Sequence, residues 1–109
     1  MEQLARSTDP DTSHRGAADI RPRQGTQMWG LLQAYLDAGD LGLTADEAGE
    51  DADLTHTGYW KRCSDLYRAG FTRTLMDGDR VVTRPGRAGS SQEVRIITSK
   101  GRSWISVNA

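Results

Sequence analysis

The chain has 109 residues, a formal net charge of −1 and one cysteine, so it is long enough for one domain and too short for two of ordinary size. Leu, Ile, Val and Phe together number 18, which predicts one small core and excludes a large buried active-site cavity. A single cysteine excludes an intramolecular disulfide, and no apolar run is long enough for a membrane span or a secretory signal, so we expect a location in the cytoplasm.

The amino-terminal part divides into an arm and a first helix. Residues 1–24 contain few large apolar groups and are predicted to form a flexible arm. After Gly25, Thr26 is a helix cap, and the following apolar residues have the three-four spacing of one buried helical face: Met28, Leu31, Leu32, Tyr35 and Leu36. Because Gly39 favours a helix end, we expect this helix to stop near Ala38.

A second, short helix is predicted over residues 45–51. Thr44 and Glu47 have the three-residue spacing of a capping box, in which each side chain bonds the other residue's backbone N–H. Gly49 weakens this helix by roughly 1 kcal/mol relative to Ala. Residues 40–43 are expected to form a short extended link between the first two helices.

A third helix is predicted from a cap at Thr55 or Thr57 to about Ala69, because Gly70 follows. Helical spacing gives it an inward face of four side chains, which are Tyr59, Cys63, Leu66 and Tyr67. Its exposed positions include two neighbouring cations, Lys61 and Arg62.

The sequence then changes from helical to alternating periodicity. Strands are predicted over residues 71–76, 80–84 and 93–98. Asp77 and Gly78 form a favourable tight turn between the first two strands, and residues 85–91 form a flexible loop of turn residues that joins the last two as a hairpin. We therefore predict a domain over residues 25–102, with residues 103–109 as a C-terminal tail.

This order of elements predicts an α+β fold of the winged helix-turn-helix type, with three helices followed by a β-hairpin wing. In that layout the third helix enters the DNA major groove and the wing contacts flanking DNA. The charge distribution favours it: residues 26–54 carry seven acids and no Lys or Arg, whereas residues 55–109 carry ten bases and four acids. The alternative is that each charge run only solubilises one face.

Eight residues are candidates for contact with double-stranded DNA. They lie on the third helix (about 56–69) and on the basic wing (about 80–98), and they are His56, Thr57, Tyr59, Lys61, Arg62, Arg80, Arg84 and Arg87. Arg62 has the shape for a two-pronged contact with guanine, worth roughly 1 to 3 kcal/mol of discrimination. The alternatives are that Lys61 and Arg62 contact only phosphate, and that Tyr59 belongs to the core.

Several short blocks in a fixed order resemble a known family. They are DPDTSH at 9–14, GTQ at 25–27, GLTADEA at 42–48, YWKRCSDL at 59–66, AGF at 69–71 and ITSKG at 97–101. In these blocks the chain resembles the small winged-helix DNA-binding proteins of actinobacterial phages and prophages. The resemblance implies a DNA-binding module, either a transcriptional regulator or a recombination accessory factor, and it implies no cofactor.

The sequence gives little support for catalysis. His14, His56 and Cys63 do not have the spacing of metal ligands, and Cys63 lies on an apolar helical face, which is typical of a core residue. We therefore expect no enzyme activity and no metal. Two further partners stay open. The chain could pair with a second copy of itself, or it could be a winged-helix interaction module that binds a host or phage protein through its own acidic helices.

Overall fold

The computed structural model describes residues 21–54, 58–86 and 88–109. The predictions for the rest of the arm, for the caps Thr55 and Thr57 and for the candidates His56 and Arg87 lie outside these residues. The described elements, in order, are α1 (Gln27–Ala38), a 3-10 turn (Gly39–Leu41), α2 (Ala45–Asp51), α3 (Tyr59–Arg68), β1 (Thr72–Thr74), β2 (Met76–Asp77), β3 (Arg80–Val81), β4 (Thr83–Pro85), β5 (Ser91–Glu93), β6 (Arg95–Ile97) and α4 (Ser99–Asn108).

The described chain is α+β, with four helices and small antiparallel strand pairs. None of its helices combines the length and the apolar character needed to cross a membrane.

The first two helices begin and end where the sequence predicts. The Thr26 hydroxyl accepts the Trp29 N–H at 3.3 Å, and α1 ends at Gly39 with a φ of +59°. At the start of α2 both halves of the capping box form: the Glu47 N–H donates to the Thr44 hydroxyl at 3.2 Å, and the Thr44 N–H donates to the Glu47 carboxylate at 2.9 Å. Together these bonds satisfy backbone donors that a helix start leaves unpaired.

The strands differ from the prediction because each long strand is divided into two short ones. Pairing joins β1 with β6, β2 with β3, and β4 with β5. The residues at the three divisions are Leu75, Val82 and Val94, whose backbones bond one another in a closed ring at 2.8 to 3.0 Å. The tight turn is formed by Gly78 and Asp79, one residue later than predicted, because Asp77 pairs with Arg80 between β2 and β3. β4 and β5 pair with each other, and three strand pairs meet at a junction where the sequence predicted a single hairpin wing.

A short bridge connects the helices to this strand region. The backbones of Leu43 and Arg95 exchange two hydrogen bonds of 2.9 Å, so the link between α1 and α2 pairs with β6. Gly42 permits the approach: its φ is +71°, and a Cβ there would lie 2.6 Å from the Val94 side chain. The bridge holds the α2–α3 unit beside the strands.

The core lies between α1 and α3 and continues to α4. Leu31, Leu32 and Leu66 are fully buried, and Phe71 packs edge-on against Trp104 with ring centroids 5.6 Å apart. On α3 the predicted inward face needs one correction. Tyr67 is exposed: its ring packs against the Arg95 guanidinium and otherwise faces solvent. Asp65 is buried instead.

The sequence prediction missed α4, since it placed an unassigned tail after residue 102. Thr98 caps this helix by accepting the Gly101 N–H at 3.1 Å, and Ile105 lies in the core. The first turn contains Gly101, a weak helix former that the fold requires, because a Cβ there would lie 2.5 Å from the Phe71 carbonyl oxygen. Tertiary packing therefore stabilises a helix that local sequence preference does not indicate.

Candidate nucleic-acid interface

Helix α3 presents a polar and aromatic face on the side opposite the core. Its buried side is formed by Tyr59, Cys63, Asp65 and Leu66. The other side carries two cations, two aromatic rings and one hydroxyl, at the three-four spacing of a single helical face: Trp60, Lys61, Ser64, Tyr67 and Arg68. Half of the Trp60 surface is exposed. Trp60, Lys61, Tyr67 and Arg68 are exposed on this face, whereas Ser64 is half-buried.

A groove of about 420 Å³ separates part of this face from the strands. From α3 it is lined by Trp60, Lys61, Cys63 and Ser64, and from the strand side by Ser90, Ser91, Gln92, Glu93 and Arg95. Tyr35 and Ala45 complete the lining. Because groups from both sides converge, a ligand in the groove would contact α3 and the β4–β5 hairpin at once.

Asp46 is the polar centre that joins the walls of this groove. One of its carboxylate oxygens accepts the Tyr59 hydroxyl and the Trp60 indole N–H, both at 2.9 Å. The other oxygen accepts the Gln92 amide at 3.1 Å, and the Gln92 carbonyl oxygen accepts the Asp46 backbone N–H at 3.3 Å. Only 7% of Asp46 is exposed, so an acid on α2 positions α3 and β5.

Arg84 on β4 connects this strand to the helical part of the domain. Its Nη2 donates to the Gly42 carbonyl at 2.8 Å and to the Glu47 carboxylate at 3.0 Å. Glu47 also belongs to the α2 capping box, so its carboxylate accepts both the Thr44 backbone N–H at the start of α2 and the guanidinium of Arg84 from β4. The hydrogen bonds that Arg84 makes here are therefore internal to the domain.

Arg95 lies at the inner end of the groove. Its guanidinium stacks over the Tyr67 ring at 4.1 Å from the centroid, and its Nη2 is 3.9 Å from the Glu93 carboxylate. Its Nε is buried and has no hydrogen-bond partner in the described part of the chain. Arg95 therefore contributes a planar cation to the groove lining, while its Nε is shielded from solvent.

The other predicted DNA contacts are spread over several places. Lys61 is exposed in the groove, and Arg80 is exposed on β3. Arg62 is half-buried, pairs with Asp65 at 3.4 Å, and shares a second cleft with Arg21 and Arg23. Tyr59 is a core residue bound to Asp46, which is the alternative that the sequence left open.

Sequence reasoning missed Asp46, Trp60, Tyr67, Arg68 and Arg95 as residues of this region. Helical periodicity alone places Trp60, Lys61, Tyr67 and Arg68 near one face, so a helical wheel for α3 would have found them. Asp46 had no such signal, because its seven-acid neighbourhood resembles a solvated face and its burial depends on partners 13 to 46 residues away.

The thiol of Cys63 adjoins the groove without a chemical role. Burial raises the pKa of Cys63 to about 11, although a hydrogen bond with Tyr35 acts in the opposite direction. Burial also raises the pKa of Tyr35, with a smaller contribution from Cys63. At neutral pH both groups are therefore protonated, and Cys63 is not an activated nucleophile. Within residues 21–54, 58–86 and 88–109, no three His, Cys, Asp or Glu side chains are grouped to hold a metal ion.

Comparison of the chain with protein-family models, with curated proteins and with solved structures gives no match.

Proposed function

We propose that this protein binds double-stranded DNA as a winged helix, with α3 in the major groove and the β2–β3 and β4–β5 hairpins beside it. The observation that carries the proposal is the exposed face of α3, on which Lys61, Ser64 and Arg68 recur at helical spacing next to a groove shared with a hairpin. A recognition helix in the major groove needs such a face of donors and cations.

The order of elements supports the same proposal. A short strand residue, Leu43, lies between α1 and α2 and pairs with β6, while β1 follows α3 and pairs with the other edge of β6. Helix, short strand, two helices and a strand-hairpin-strand unit is the order expected of a winged helix. The proposal departs from the sequence prediction in having two hairpin arms and an added α4.

The dimensions and charges of α3 fit a duplex. Lys61 and Arg68 are seven positions apart in the sequence, which is about 10 Å along the helix axis at 1.5 Å per residue. That length corresponds to about three base-pair steps of 3.4 Å. Asp46 is the acid of α2 that contacts α3. It is buried and its carboxylate accepts three side-chain hydrogen bonds, so this charge is shielded from a phosphate backbone.

A role as a phage or prophage regulator or recombination accessory factor extends this proposal. It depends on the resemblance of the sequence blocks to actinobacterial phage proteins, and the choice between these roles depends on the bound site. Selection of bound sequences from a randomised duplex pool tests it: enrichment of one motif supports a regulator or accessory factor, whereas no enrichment supports sequence-independent binding.

The direct test of DNA binding is a titration of a fluorescently labelled random duplex of about 20 base pairs at several salt concentrations. We expect micromolar or weaker binding at physiological salt, tighter binding at low salt, and a logarithmic slope of roughly −3 to −5 if three to five phosphates are neutralised. Absence of binding at the lowest salt would contradict the proposal.

The second candidate is a protein-interaction module, and one surface favours it. Five acids on α1, α2 and their flanking turns are exposed, namely Asp37, Asp40, Glu50, Asp51 and Asp53. Leu41, which follows Asp40 in the chain, has 76% of its surface exposed. An exposed apolar residue next to an acid suits a basic protein partner. Replacement of Leu41 by Ser weakens such a complex and leaves duplex binding unchanged.

A further inference from the structure

The indole of Trp60 is an exposed aromatic surface whose orientation is fixed. Half of this residue is exposed at the groove between α3 and β5, yet its N–H donates to the buried Asp46 carboxylate at 2.9 Å. An aromatic ring that is held in place by its polar edge offers the remainder of its surface to stacking without losing that hydrogen bond. Base stacking on such a ring is worth roughly 1 to 3 kcal/mol per base and tolerates any base.

The same groove contains cations that suit a phosphate. Lys61 is exposed and has no ion-pair partner among the described residues, and Arg95 lines the groove with a guanidinium whose Glu93 partner is 3.9 Å away. Three hydroxyls of the lining, those of Ser64, Ser90 and Ser91, also make no hydrogen bond to a described residue. Two cations and several hydroxyls are the usual ligands of a phosphate group.

The carboxylates near the groove are already engaged. Glu93 accepts the Thr74 hydroxyl at 3.2 Å and lies 3.9 Å from the Arg95 guanidinium. Asp46 is covered by its three donors. Neither carboxylate therefore cancels Lys61 directly.

We propose that this groove binds a single nucleotide unit, with its base against Trp60 and its phosphate between Lys61 and Arg95. The groove volume of about 420 Å³ is within the range of small-ligand sites. A duplex backbone alone would use the cations but not the aromatic ring, because its bases are stacked inside the helix. The nucleotide comes either from solution or from an unpaired position in a nucleic-acid strand, and the site does not depend on the proposed duplex binding.

Nuclear magnetic resonance spectroscopy of the full chain tests this site. The three tryptophans, Trp29, Trp60 and Trp104, give separate indole N–H signals, which single Trp→Phe variants assign. Thymidine 5′-monophosphate is expected to shift the Trp60 signal saturably, together with the backbone signals of Ser64 and Ser91. Thymidine alone and inorganic phosphate alone are each expected to bind at least about 10-fold more weakly, because each uses only part of the site.

Two variants with the same change of charge make the test specific. Lys61→Ala is expected to weaken nucleotide binding about 5-fold or more, whereas Arg102→Ala, on the exposed surface of α4, leaves it unchanged. A single-stranded thymidine hexamer that binds at least about 10-fold more tightly than the mononucleotide identifies a strand as the source, and equal affinity identifies a free nucleotide. No shift of the Trp60 signal with any of these probes, or equal weakening by the two variants, would overturn the proposal. The outcome of the duplex titration does not alter either result.

Discussion

The carboxylate of Asp46 accepts the indole N–H of Trp60 at 2.9 Å, so a side chain of α2 orients an aromatic ring on the exposed face of α3. The same oxygen accepts the hydroxyl of Tyr59, the preceding residue, which points into the core. Two neighbours on α3 thus reach one acceptor from the buried and the exposed side of the helix. The rotation of α3 about its axis is thereby fixed, and with it the direction of Lys61.

Replacing Asp46 by Asn tests this arrangement. Asn keeps the size of the side chain but removes one acceptor and the charge, so at least one buried donor is left without a partner. We expect the free energy of unfolding to fall by about 1 to 3 kcal/mol in urea denaturation. Asp51→Asn is the matched control on the same helix, and its exposed side chain predicts a change within about 0.5 kcal/mol. Equal effects of the two substitutions would contradict a structural role of Asp46.

The contact of Gly49 with Tyr59 makes a second test of α2–α3 packing. A Cβ at Gly49 would lie 2.8 Å from the Tyr59 ring, so Gly49→Ala is expected to destabilise the protein by about 1 to 3 kcal/mol. Gly30 in α1 is the control: its added Cβ would be 3.8 Å from the nearest atom, Ala52 Cβ, and Ala is the better helix former. Gly30→Ala should therefore stabilise by up to about 1 kcal/mol. Thermal unfolding of both variants measures the difference, and a neutral Gly49→Ala would show that α2 and α3 are not closely packed.

The buried thiol and phenol predict loss of stability at alkaline pH. Burial raises the pKa of Cys63 to about 11, whereas the pKa of a cysteine thiol in an unfolded chain is about 8.5. Between these values the unfolded state binds fewer protons than the folded state, so the free energy of unfolding falls as pH rises. The raised pKa of Tyr35 acts in the same direction at higher pH.

Urea unfolding between pH 8 and pH 11 measures this effect. For one group the decrease approaches about 1.4 kcal/mol per pH unit above the unfolded pKa. Cys63→Ala removes one of the two groups, so its profile should be shallower over this range than that of the unmodified protein. Parallel profiles for the two proteins would show that Cys63 does not titrate differently in the folded state.

Arg84 and Arg80 both lie on the hairpin strands, but we expect Arg84 to contribute to stability and Arg80 to contribute to duplex binding. Arg84→Ala removes bonds to the Gly42 carbonyl and to Glu47, and should lower stability by about 1 kcal/mol, since the ion pair is partly exposed. Its effect on the salt dependence of duplex binding should be small. Arg80→Ala is expected to leave stability within about 0.5 kcal/mol and to reduce the salt slope by about one. The reverse result for the two arginines would show that Arg84 contacts DNA.

The bounds of α1 and α2 and the end of α3 were predictable because their signals are local. Thr26, Thr44 and Glu47 form caps with residues three positions away, and Gly39 and Gly70 end helices through their own positive φ. Neither signal depends on the rest of the fold. For this reason α1 and α2 were predicted with correct bounds.

The strand junction and the groove depend on contacts distant in sequence. Val94 bonds Leu75 and Val82 across the divided strands, and Gln92 meets Asp46 across 46 residues. A single sequence contains no signal for such pairings, so it did not indicate the bonds of Arg84 to Gly42 and Glu47. The contact of Arg84 with DNA stays a prediction. Lys61 is exposed on α3, as helical periodicity predicts, and its contact with DNA stays a prediction.

The role of α3 in binding is tested most directly by duplex titration of two double variants across a range of salt concentrations. One variant, Lys61→Ala with Arg68→Ala, removes both cations from the exposed face of α3; the other, Arg73→Ala with Arg102→Ala, removes two exposed cations from β1 and α4. We expect the first variant to lower the salt slope by about two and to weaken low-salt binding at least about 10-fold, while the second changes neither appreciably. Equal losses in the two variants, or a larger loss in the second, would contradict α3 as the DNA-binding helix.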